Sequence, residues 1–217
     1  FVRKYFRITT PVVANECLWS MGIVLYSVVY GHMGTATVAA VSIYNTVEQI
    51  GFAFIRGVVH TCAVLVGKRI GAGDEQDANL TARRMMVAAV GIALFAGALL
   101  AASSGWIVQI FNVSENVRSA ARALICINAA FMPLNALNTV IIVGVMRAGG
   151  DVTCSLLLDA GTIWVIGVPL VALAGLGLGW SITAVFLLAQ VENAVKLTLG
   201  LLRLRSGKWV HNLVHTA

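Results

Sequence analysis

Charge is scarce in this sequence. Asp, Glu, Lys and Arg make up 11% of its 217 residues, where a soluble domain carries roughly 25%. A soluble helix needs a polar face along its whole length, whereas here the charges gather between long apolar stretches. An ordinary water-soluble domain is thereby excluded. Paired cysteine is missing as well. Cys17, Cys62, Cys126 and Cys154 stand far apart with no C-x-x-C, which argues against a disulfide framework or zinc site and leaves four small side chains expected to be buried. H-E-x-x-H, G-x-S-x-G, a phosphate-binding loop and a metal-ligand cluster are also absent, so no enzymatic chemistry, metal or cofactor is expected. No short apolar stretch ends in a small-residue cleavage motif, so no signal peptide is expected, and a first residue of Phe rather than Met suggests a piece of a longer chain.

What the sequence has is hydrophobicity. Apolar residues are 59% of the chain and the mean hydropathy is +0.89. A membrane-spanning helix needs about 20 mostly apolar residues. Six stretches qualify, at about 8–30, 36–66, 85–103, 120–146, 154–174 and 180–202. The expected fold is an all-α integral membrane bundle of six transmembrane helices. The net charge of +6 does not point to nucleic acid, because the basic residues lie at helix ends, where they set topology and meet anionic lipid.

Arg3, Lys4, Arg7, Lys68, Arg69, Arg83, Arg84, Arg147, Arg203, Arg205 and Lys208 fall on one side of such a bundle, and only Arg118 and Arg122 on the other. The rule that cytoplasmic loops collect Lys and Arg then puts both termini in the cytoplasm of a multi-pass cell-membrane protein, the inner membrane if the source is Gram-negative. Arg56 and Lys196 fall inside helices.

Two helix ends are alike, Arg69-Ile-Gly-Ala-Gly-Asp74 and Arg147-Ala-Gly-Gly-Asp151. Their glycines suit left-handed helix ends, their arginines suit the helix dipole, and Asp74 and Asp151 suit caps of the following segments. Ala89, Ala93, Gly97 and Ala101 form a ridge of small residues for close helix packing.

Ionisable and amide side chains inside the membrane are costly and are therefore the functional candidates. Glu16 shares a helix face with Trp19, Ser20, Ile23, Ser27 and Tyr30, as a cavity lining would. Asn45, Glu48, Gln49, Arg56 and His60 form a stripe on the second helix. Glu48 and Arg56 are about 12 Å apart along the axis, so each is expected to find its partner on another helix, and His60 reads as a core histidine. Asn128, Asn135 and Asn138 flank Pro133, which frees the Ala129 carbonyl and suggests a kink beside a polar cavity. Asp159 lies near the cytoplasmic end of the fifth helix and reads as reaching the headgroups, while Glu192 and Lys196 are spaced for an intrahelical ion pair.

Three segments carry a resemblance. Val66-Gly-Lys-Arg-Ile-Gly-Ala-Gly-Asp74 with Ala78 and Arg83, Ile141-Ile-Val-Gly-Val-Met-Arg-Ala-Gly-Gly-Asp151, and Pro11 with Glu16 and Trp19 resemble the eighth, tenth and seventh helices of multidrug and toxic compound extrusion (MATE) transporters. That resemblance implies twelve helices in two six-helix lobes, this chain being the C-terminal lobe and the N-terminal lobe its partner. It implies export of small organic cations against inward H⁺ or Na⁺, with Glu16 matching the family's acidic residue for cation coupling or substrate binding. The stretch from Pro133 to Val143 holds Asn135 and Asn138 but no acid, which favours protons over a Na⁺ site of the kind some members carry there. Trp19, Ser20, Glu48, Arg56, Asn128, Asn135, Asn138 and Asp159 are then the expected cavity lining. The alternatives are a lipid-linked saccharide flippase of the same superfamily, whose cavity would be richer in basic residues, and a structural membrane protein with no cavity.

Overall fold

The computed structural model describes residues 2–210, with side chains from Thr9 onward. The topological roles expected for Arg3, Lys4 and Arg7 lie outside the described side chains. Among the described residues, six helices are long and apolar enough to cross a membrane. They are α1 (Val2–His32), α2 (Thr35–Gly71), α3 (Glu75–Ile107), α4 (Glu115–Arg147), α5 (Val152–Gly177) and α6 (Ile182–Arg205). Most run past the apolar stretch that marks them in the sequence. Helix α3 starts at Glu75 because Asp74 accepts the Asp77 amide at 2.9 Å and Glu75 and Asp77 favour the positive end of the helix dipole. Hydropathy does not register such a wet first turn.

Two helices are widened rather than broken. Helix α4 passes through Pro133 and finishes in π-helical turns at Val140–Arg147. Helix α5 has π-helical turns at Ile163–Gly167 and Leu173–Gly177, on either side of the α-helical Val168–Ala172 that holds Pro169. Pro169 cannot donate to the Val165 carbonyl, and the widened turn Ile163–Gly167 accommodates that missing bond; the α4 widening begins beyond Pro133, in a part of the helix that holds no proline.

The repeated Gly-Asp ends share their backbone geometry. Gly73 and Gly150 have φ of 81° and 86°, a conformation that favours glycine. Asp74 N donates to Arg69 O at 3.1 Å and Asp151 N to Met146 O at 2.9 Å, the six-to-one bond that closes a helix C-terminus. Their side chains differ. Asp74 caps α3 as expected, but Asp151 makes no cap and accepts instead from Arg203 Nε at 2.7 Å. After α6 the backbone returns so that Val210 bridges Gly150, and Trp209, 1% exposed, lies over Gly149. The indole fills a place no local pattern announces.

Helices α3 and α4 pack closely. Ala89, Ala93 and Gly97 are buried as the small-residue ridge predicts, whereas Ala101 is exposed. A Cβ on Gly97 would stand 2.6 Å from the Ala129 carbonyl oxygen. That carbonyl is the one Pro133 releases from the helix ladder, so α3 lies directly over the gap.

The apolar core has two parts. One joins Ile55, Val66, Met132, Ile141, Met146 and Trp209 at the end of the bundle that holds the α2–α3 and α4–α5 turns. The other joins Tyr30, Ile43, Leu124, Val171, Val185 and Phe186 at the opposite end. Phe54, Val87, Phe95 and Val165, all more than 70% exposed, face outward, as side chains in contact with lipid do. Of the four cysteines, none is in a disulfide, and Cys62 is buried as expected; Cys17 and Cys126 are exposed and Cys154 is half-buried, against the expectation.

Candidate functional site

A cavity of about 730 Å³ opens between the two parts of the core. Helices α1, α2, α4, α5 and α6 all contribute to its wall. Eight of the nine side chains expected there line it: Glu16, Trp19, Glu48, Arg56, Asn128, Asn135, Asn138 and Asp159. Ser20 does not. On α1 the lining runs Glu16, Trp19, Ile23, Tyr26 and Tyr30 with Ser27 beside Tyr26, a stripe at helical spacing too narrow to include Ser20, which is exposed outside it.

The α2 wall is loosely tied. Tyr44 donates to Asn128 Oδ1 at 3.4 Å, and its ring stacks edge-on to Phe186 with centroids 4.9 Å apart. His60 is exposed on the cavity wall rather than held in the core, and Arg56 is exposed beside it. The cross-helix partners expected for Glu48 and Arg56 are not found: neither makes an ion pair with a described residue. On α4, Asn138 Nδ2 donates to the Asn193 carbonyl at 2.9 Å, while Asn135 Oδ1 is buried without a hydrogen-bond donor among the described residues.

The α1–α5–α6 wall is built the opposite way, from a continuous run of charge. Arg147 Nη1 donates to Glu16 Oε1 at 2.7 Å, and its Nη2 lies 3.4 Å from Asp159 Oδ2. Lys196 Nζ joins Asp159 Oδ1 at 3.1 Å to Glu192 Oε1 at 2.9 Å. Glu192 also accepts from the Tyr26 hydroxyl at 3.1 Å and from Thr162 Oγ1 at 3.2 Å. Three carboxylates and two cations leave one negative charge in excess. Glu16 is half-exposed, but the other four groups are largely buried; buried charges are held only when paired and hydrogen-bonded, and each of the four is. Gly167 makes the approach possible, since a Cβ there would collide with the Tyr26 hydroxyl and stand 2.8 Å from Glu192 Oε2.

Three sequence readings change here. Asp159 does not reach for headgroups; its side chain is 17% exposed, clamped between Arg147 and Lys196. Glu192 and Lys196 do form the intrahelical pair, but it is buried and faces the cavity. Arg147, counted from sequence as a helix-end residue, turns inward. The signal that could have found it was the contrast with its counterpart Arg69, which has Asp77 nearby in sequence as a partner, whereas no acid follows Arg147 at that spacing.

Five of the six membrane-crossing helices surround a polar, partly charged cavity, and comparison with known proteins shows which family builds such a fold. The MatE family profile matches residues 11–170, and the chain belongs to that family. It is 22% identical over 209 residues to the uncharacterised transporter YisQ of Bacillus subtilis, covering 96% of this chain and 46% of the relative. The fold matches a MOP superfamily transporter from Pyrococcus furiosus, described as having a binding pocket of reverse polarity that suggests a different function, with a TM-score of 0.87 at 15% identity. It also matches an outward-facing multidrug resistance MATE transporter of the same superfamily, with a TM-score of 0.81 at 15% identity. Each superposition covers 95% of this chain and 46% of the other. The chain therefore spans about half the length of the relatives it matches.

Proposed function

We propose that this chain is the C-terminal lobe of a cation-coupled antiporter that exports amphipathic organic cations by alternating access, its partner being an N-terminal six-helix lobe. Both termini lie in the cytoplasm, and in a Gram-negative source the membrane is the inner one. The observation that carries the reading is the position of Glu16. Its carboxylate is 55% exposed, on the wall of a cavity that also presents Trp19 and several tyrosines, and it is tied to a run of charge with one negative charge in excess. Aromatic faces and a wall carrying one negative charge in excess together attract an organic cation.

Coupling follows from Arg147. A proton shifts a conformational equilibrium only if it binds one state better than the other. Protonating Glu16 removes the charge that Arg147 holds, so α1 and the end of α4 are free to separate. With no acid between Pro133 and Val143 on α4, protons rather than Na⁺ are the simpler coupling ion for Glu16. The test is accumulation of a cationic dye such as ethidium in efflux-deficient cells making the full-length protein, with and without a proton gradient. Gradient-dependent exclusion supports the reading; no exclusion of several such dyes at verified expression contradicts it.

A second reading has its own observation. Arg56 is exposed on the α2 wall without a carboxylate partner among the described residues, next to His60. A lipid-linked saccharide flippase would use such cations against a pyrophosphate, and its signature would be loss of lipid translocation, not dye export, in an Arg56→Gln protein.

A further inference from the structure

Asp159 on α5 and Glu192 on α6 share a single cation. Lys196 Nζ lies 3.1 Å from Asp159 Oδ1 and 2.9 Å from Glu192 Oε1. The three side chains are 17%, 6% and 7% exposed, so both carboxylates are withdrawn from water; the ammonium is the cationic partner of Glu192 and the nearer of the two that Asp159 has. Other oxygens stand close by. Thr162 Oγ1 is 3.2 Å and the Tyr26 hydroxyl 3.1 Å from the Glu192 carboxylate. Asn15, 1% exposed, donates to Asp159 Oδ2 at 2.9 Å while its own carbonyl oxygen has no donor among the described residues.

Buried carboxylates on facing helices with hydroxyl and amide oxygens around them are the donor set that hard cations take. A lysine ammonium is a compact point charge, and Lys196 sits where such a cation would. Arg147 cannot substitute for it, because that guanidinium meets only the other oxygen of Asp159, at 3.4 Å.

We propose that Asp159, Glu192 and Thr162 form a monovalent-cation site that Lys196 fills with its own ammonium, and that this site takes Na⁺ when the lysine charge is removed. The tether gives the ammonium a high effective concentration, so dissolved Na⁺ does not compete in the wild-type protein. With a neutral residue at 196, Glu192 loses its cationic partner and Asp159 keeps only the longer contact with Arg147, so two buried carboxylates share too little positive charge and capturing a cation relieves the repulsion. The proposal stands on this geometry alone and does not depend on which compound the protein exports.

The test uses purified full-length protein, wild type and Lys196→Met, melted in NaCl and in choline chloride at equal ionic strength. Lys196→Met is expected to melt lower than wild type in choline, and Na⁺ is expected to raise its midpoint saturably by several degrees more than it raises wild type. Adding Glu192→Gln should abolish that extra shift. Equal Na⁺ shifts in wild type and Lys196→Met overturn the proposal, as does an extra shift that survives Glu192→Gln. If Lys196→Met yields no folded protein in choline, the near-isosteric Lys196→Gln carries the same comparison, and both variants are expected to be recovered when purified in NaCl. Failure of both to fold in either salt overturns the proposal too.

Discussion

Arg147 and Glu16 stand 131 positions apart in the chain and 2.7 Å apart in space. The bond joins the first helix to the end of the fourth at the mouth of the cavity, and the remaining nitrogens of Arg147 reach Ser155 and Asp159 on the fifth. One guanidinium thus ties three helices, which makes it the point at which neutralising a carboxylate would be felt by the whole wall.

Replacing Arg147 should therefore act mainly on transport. The pair with Glu16 is partly exposed, so its loss costs about 1 kcal/mol or less, and Asp159 keeps the nearer cation, Lys196, when the 3.4 Å contact with Arg147 goes. Arg147→Gln is expected to remain folded, by size-exclusion profile, while export becomes insensitive to the imposed gradient. Arg147→Lys, which keeps the charge but loses the fork, should retain part of the response.

The buried end of the run behaves differently. Breaking a buried ion pair by removing one partner costs about 3–5 kcal/mol. Lys196→Met is expected to lower the melting midpoint in sodium-free buffer far more than Arg147→Gln does. Adding Glu192→Leu should restore part of the loss, since it removes a stranded carboxylate; a double-mutant cycle measures the coupling.

Close packing of α3 on α4 has a sharper requirement. Gly97→Val places a side chain against the Ala129 carbonyl, which is backbone and cannot move aside. The helices must part, at a cost of at least about 1–3 kcal/mol, and the yield of monodisperse protein should fall. Gly91→Ala, on the same helix with nothing near its Cβ position, should be neutral.

Trp209 tests the closure of the α4–α5 turn. Truncating a buried tryptophan costs about 3–5 kcal/mol, and Trp209→Ala is expected to lower the melting midpoint accordingly. Gly149→Ala should do the same from the other side, because its Cβ would meet the indole at 2.6 Å.

A structural membrane protein would have no water in the cavity. In a background with Cys17 and Cys126 replaced, Asn135→Cys is expected to react with a membrane-impermeant thiol reagent and Phe95→Cys on the lipid face is not. Equal protection of both would remove the aqueous cavity from the account.

The helices were legible because the membrane imposes one rule on every span: about 20 apolar residues with the backbone satisfied internally. Most of the cavity lining was legible for the same reason, since Glu16, Glu48, Asn128, Asn135, Asn138 and Asp159 are polar groups that a lipid face would not tolerate. Partnership was not legible. Asp151 has the spacing of a cap, yet Arg203, 52 positions away, takes its carboxylate. Arg147 looks like a helix-end charge, and nothing local shows that its partners lie on α1 and α5. Ser20 looks like part of a lining because a helical wheel is tolerant of 40° and a packed interface is not. Periodicity identifies faces; tertiary contacts decide which neighbour each face meets.

The central claim is that the Glu16 carboxylate couples a cation gradient to export. The direct measurement is dye export by full-length Glu16→Gln against wild type at equal membrane expression, each with and without an imposed proton gradient. The account predicts that the variant exports little and does not respond to the gradient. Full, gradient-driven export by Glu16→Gln would contradict it.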